Sequence, residues 1–161
     1  MQDNVAAQAD FLRKDYVPLL QTLTPDAARK WGKMDARHMI EHMSDSFRIA
    51  SGRTPQELVT PEEHVGKMQD FIRSDKQFRE NTPNRLMSDE PQPYRLADIN
   101  AATTELQNEI DYFFQVFDNN PGHIILNALF GMLDYELWVR LLYKHAWHHL
   151  RQFGIDVQET A

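Results

Sequence analysis

Residues 134–154 read DYELWVRLLYKHAWHHLRQFG. Asp134 stands where a helix N-cap would, and Gly154 where a helix would stop. Between them Trp138, Leu141 and Leu142 fall on one side of a helix at the spacing of three and four that buries a single face. His145 and His149 continue that side one turn apart, so two imidazoles share the inner wall of whatever the helix packs against.

The same period recurs three times elsewhere in the chain. Ile99, Leu106, Ile110, Phe113 and Phe117 predict a helix from near Asp98 to near Phe117. Met39, Ile40, Met43, Phe47 and Ala50 predict another, opened by Asp35 as N-cap and closed at about Ser51 before Gly52. Val5, Ala9, Leu12, Tyr16 and Leu20 predict a first helix over roughly residues 4–23, with Pro18 free to kink its last turn. Thr24-Pro25-Asp26 reads as the start of a short further helix. The chain is therefore expected to be all-α, a single domain over residues 1–161 with four main helices.

Residues 52–97 form a long connection between the second and third of these helices. It is punctuated by Pro55, Pro61, Pro83, Pro91 and Pro93, with an amphipathic helix expected over about Glu62–Glu80. Such a crossover lets helices two and three lie other than as antiparallel neighbours, and it is long enough to cover a site. Asn119-Asn120-Pro121-Gly122 reads as a turn, and residues 123–131 are apolar with no clear period.

Composition narrows the chemistry. The net charge of −7 argues against a basic nucleic-acid-binding face. No stretch approaches the roughly 18 apolar residues of a membrane span, and the start of the chain lacks the pattern of a signal peptide. A cytoplasmic location is expected. With no cysteine among 161 residues, thiolate nucleophiles, disulfides and cysteine-ligated metals are excluded. Any metal or acid–base site must rest on histidine, aspartate and glutamate.

Seven histidines are available, three of them at 145, 148 and 149. Two imidazoles at i and i+4 converge on one divalent ion but do not hold it firmly, so a third ligand is expected from another helix. His42 fits best, standing about 60° from Met39 at the edge of the second helix's apolar stripe. His38, four residues earlier, forms a second pair with ligand spacing but falls further from the core. His64 and His123 lie on connecting segments. His148 points away from His149 and is expected beside the ligands or at the surface rather than among them. Asp45, one turn after His42, is a candidate to orient a ligand imidazole or simply an exposed helix acid.

These residues carry a resemblance. Trp31-Gly32-Lys33-Met34, His42, Phe130-Gly131-Met132-Leu133 and the run from Tyr143 to Gly154 resemble an uncharacterised bacterial branch of the DinB/YfiT-like superfamily. The superfamily's last core helix ends in His, two residues, His-His, Arg, Gly, Gln. Here that reads His145, Ala146-Trp147, His148-His149, Leu150, Arg151 and Gln152. The resemblance implies a four-helix bundle of up-down-down-up order, often a homodimer. It also implies a divalent ion (nickel, zinc or manganese) held by His42, His145 and His149, the three that spacing selects. Gln152 matches the motif glutamine, whereas Leu150 and Arg151 depart from its Arg-Gly pair. The implied activity is metal-assisted hydrolysis or transfer of a low-molecular-weight thiol, on a small-molecule substrate. The alternative is a metal-stabilised dimeric binding or structural module without turnover.

Overall fold

The computed structural model describes residues 4–80 and 90–156; Pro83, in the long connection, lies outside them. The fold is mainly α. In chain order it comprises α1 (Asn4–Asp10), a π-helical turn (Phe11–Asp15), α2 (Tyr16–Leu20), α3 (Ala36–Ala50), α4 (Glu62–Arg73), α5 (Ile99–Asn119), β1 (Ile125–Asn127), β2 (Gly131–Leu133) and α6 (Tyr135–Gln152). No helix among the described residues is long and apolar enough to cross a membrane.

Three of the helices begin on aspartates that satisfy otherwise unpaired backbone donors. Asp35 accepts from the His38 amide, Asp98 from Ala101 and Asp134 from Leu137. At Asp35 the cap is reciprocal, because the His38 ring nitrogen accepts from the Asp35 amide. The apolar stripes then meet. Met39, Ile40, Met43, Phe47 and Ala50 of α3 are fully buried, as are Leu106, Ile110 and Phe113 of α5. The Phe47 and Phe113 rings meet edge to face at 5.8 Å. α3 packs along α5, while α1 and α4 pack on α6 and a shorter α3–α6 contact closes the core.

The polar margin of the α3–α5 seam is a charge network. Arg48 of α3 bonds Glu105 at 2.7 Å and Glu109 at 3.1 Å on α5. Glu41 of α3 is buried and accepts the amides of Arg95 (2.8 Å) and Leu96 (3.2 Å). The end of the long connection is thereby fastened along α3. Arg95 itself reaches Asp45 and Glu105.

Four expectations are corrected. The chain is not all-α, because residues 125–133 form an antiparallel hairpin pairing Ile125 with Leu133 and Asn127 with Gly131. Its strands are three residues long, too short for an alternating pattern to register. The Asn127 side chain holds the turn by accepting the amides of Leu129 and Phe130, and the Trp138 indole donates to the Ile125 carbonyl from α6. Thr24-Pro25-Asp26 forms a turn rather than a helix. The Thr24 hydroxyl bonds the Asp26 carboxylate instead of a backbone amide, and the Ala27 amide returns to the Thr24 carbonyl. The first helical stretch stops at Leu20 and is interrupted by the π-helical turn. α4 ends at Arg73, not near Glu80. Ser74 turns to extended backbone, and its hydroxyl bonds the Phe71 carbonyl.

Candidate metal centre

α6 places His145 and His149 one turn apart, and α3 brings His42 against them. The ring Nε2 of His145 lies 3.0 Å from Nε2 of His42 and 3.0 Å from Nε2 of His149. One nitrogen from each of the three rings lies within 4.8 Å of the others. His149 is buried, and His42 and His145 are half-buried.

Mutual hydrogen bonding does not account for this convergence. A neutral ring nitrogen carries either one hydrogen or one lone pair in the ring plane. His145 Nε2 therefore serves one of its two neighbours at most. Three lone pairs aimed at one point are what a divalent cation requires. Nitrogens 2.0–2.1 Å from a tetrahedral zinc stand about 3.3 Å apart, close to the two 3.0 Å separations about His145, with His42 and His149 within 4.8 Å of each other.

The tautomer of His149 is set by its surroundings. The Gln152 amide nitrogen donates to the Trp31 carbonyl at 2.9 Å, which leaves the amide oxygen facing His149. His149 Nδ1 donates to that oxygen at 2.8 Å. The Nε2 lone pair is consequently free and directed into the cluster, the arrangement by which a second contact orients a ligand imidazole. The backbone supports it, as the Lys30 amide donates to the Gln152 carbonyl at 2.7 Å. Gly32 has φ of +78°, and a Cβ there would stand 2.9 Å from the Gln152 amide nitrogen. Only glycine takes this left-handed turn without strain while passing so close.

The electrostatics keep the imidazoles neutral. Burial, with help from His148, pushes His42 down to about 4. Burial and the neighbouring histidines hold His145 and His149 well below the usual imidazole range, although for His149 the Gln152 hydrogen bond works in the other direction. Neutral imidazole is the form that binds metal.

The other expected residues fall as follows. His148 does not reach the cluster point. Its ring packs between Trp31 (5.3 Å) and Phe78 (5.7 Å) and lies 5.0 Å from that of His149. Burial, and then Arg151, push it down to about 4. Asp45 is exposed and pairs with Arg48 at 3.3 Å and Arg95 at 3.2 Å, so it is not brought to an imidazole. His38 is occupied in its capping box and stacks on Tyr94 at 4.3 Å. His64 is exposed on α4, and His123 packs by Phe117; neither joins the three.

Two further residues belong to the site: Trp31, which enters the sequence reading only within the quoted resemblance, and Phe78, inside the span expected to be helical but beyond the end of α4 at Arg73. Trp31 acts through its carbonyl, which no side-chain pattern announces; the adjacent Gly32 is the one local sign of a tight backbone approach. Comparison with family models, with curated proteins and with solved structures gave no match.

Proposed function

We propose that the protein is a divalent-metal-dependent enzyme that holds one ion through His42, His145 and His149. The observation that supports this most strongly is three neutral imidazoles converging on one point without a mutual hydrogen-bonding solution. Three nitrogen ligands leave coordination positions for solvent or substrate, as catalytic sites do and closed structural sites do not. Imidazole donors suit zinc or nickel better than manganese, which prefers oxygen. When bound, such an ion supplies Lewis acidity sufficient to generate a nucleophile near neutral pH.

The chain's own residues have separable tasks in this reading. His42 ties α3 to α6 through the site. Gln152 fixes the His149 ring. Phe78, Trp31 and His148 give the site an aromatic flank. The reaction classes proposed are metal-assisted hydrolysis and transfer of a low-molecular-weight thiol, on the up-down-down-up four-helix plan that the sequence resembles.

A second reading, a metal-stabilised module without turnover, is favoured by Leu150. It follows His149 where the resembled motif has arginine, and it is fully buried. No charged group from that position meets a substrate.

The test is a screen of metal-replete protein on ester, amide and phosphoester substrates and on electrophile–thiol pairs. Turnover that disappears on chelation and in His145→Ala supports the enzyme. Silence from protein carrying one ion per chain supports the module.

A further inference from the structure

The chain leaving α4 runs beside the imidazole cluster and is fastened to α6 next to a candidate ligand. Lys144, the residue before His145, donates through Nζ to the carbonyl of Ser74 at 3.0 Å and to that of Lys76. The same ammonium rests over the Phe71 ring, 4.7 Å from its centroid. Two residues past this clamp, the Phe78 ring packs on Phe71 at 5.1 Å. It also meets His145 at 5.9 Å and His148 at 5.7 Å. Among the described residues, Phe78 is the one ring other than histidine that touches any of the three converging imidazoles. Its segment is irregular, so its position depends on these side-chain ties rather than on a helical ladder.

We propose that Phe78 is the access-determining residue of the metal centre, a cover that Lys144 latches in place and whose opening sets how fast a divalent ion enters and leaves. This rests on the three-histidine metal reading. A cover of this kind acts on rates in both directions and leaves the equilibrium affinity nearly alone, because Phe78 supplies no ligand. Lys144 is a positioning residue that acts through Phe78.

The experiment uses zinc as the probe and the full chain. Zinc uptake is followed by stopped flow, zinc release is driven by excess chromophoric chelator, and Kd is measured separately by competition. Phe78→Ala and Lys144→Met are compared with the unaltered protein; methionine keeps the unbranched stem over Phe71 without the ammonium. Both variants are expected to speed uptake and release by about tenfold, a lowering of the opening barrier by about 1.4 kcal/mol. Kd should stay within about threefold, a small shift on the same scale. The double variant should be no faster than Phe78→Ala alone, the non-additivity expected of a latch that acts through Phe78. Unchanged rates, or faster release with unchanged uptake and a weakened Kd, would overturn the cover. Failure of the unaltered chain to bind zinc would overturn the metal reading and the cover with it. Tight zinc binding with unaltered rates in the variants would overturn the cover alone.

Discussion

His149 donates its Nδ1 hydrogen to the Gln152 oxygen at 2.8 Å, three residues on along α6. The direction of this bond follows from the other end of the amide, which is committed to the Trp31 carbonyl. A backbone carbonyl far away in sequence thereby chooses the tautomer of a candidate metal ligand. Gln152→Leu removes the acceptor, strands a buried ring N–H and frees the tautomer. Zinc affinity should fall by about 10- to 100-fold, the usual cost of losing such a partner, as read by competition titration.

Gly32→Ala tests the same chain of contacts from the opposite side. The new Cβ would require a left-handed backbone and would meet the Gln152 amide at 2.9 Å. The expected cost in stability is about 1–2 kcal/mol, and zinc affinity should weaken in the same sense as in Gln152→Leu. Chemical denaturation read beside a zinc titration checks both.

The metal-free protein should lose stability as pH falls from about 6.5 towards 4, with the unfolded imidazole titrating near 6.5. His42 and His148 are pushed down to about 4 in the fold, and His145 and His149 lie well below their usual range. Across that window the unfolded chain binds more protons than the folded one, so acid favours unfolding. The contribution is fully present above pH 6.5. The slope reaches up to about 1.4 kcal/mol per pH unit for each imidazole involved. The lowered carboxyls of Asp35 and Glu105 add their loss only at the acid end of this range. Denaturant melts of chelated protein at pH 7.5, 6 and 5 check the prediction, and removing His42 should flatten the profile.

Glu41→Ala should destabilise the fold by about 3–5 kcal/mol, as for a buried charge network that loses one partner. It leaves the amides of Arg95 and Leu96 without their acceptor and removes a carboxylate facing Arg37 and Arg95. Glu41→Gln keeps one acceptor oxygen and should cost less. Equilibrium unfolding of the two variants beside the unaltered protein reads the difference.

Much of this was legible in the sequence because it is local. Asp35 and Asp134 cap α3 and α6, and the stripes of α3, α5 and α6 are continuous enough for the helical period to declare itself. The three histidines follow from the same geometry, since ligand spacing and an inward face are both helix properties. What escaped was tertiary or too short. The hairpin rests on three-residue strands and an asparagine-held turn. The π-helical turn at Phe11–Asp15 leaves no mark in the apolar pattern. Trp31 contributes a carbonyl, and Phe78 is placed by the Lys144 clamp across a break in helix that Ser74 imposes.

In the proposed function His42, His145 and His149 hold one divalent ion together. The most direct test is metal content after zinc loading and exhaustive dialysis, for the unaltered protein and for His42→Ala, His145→Ala and His149→Ala. Circular dichroism confirms that each variant remains helical. The unaltered protein should retain one zinc per chain and every single variant should lose most of it, because two imidazoles do not hold the ion firmly. Full occupancy in all three variants would contradict this.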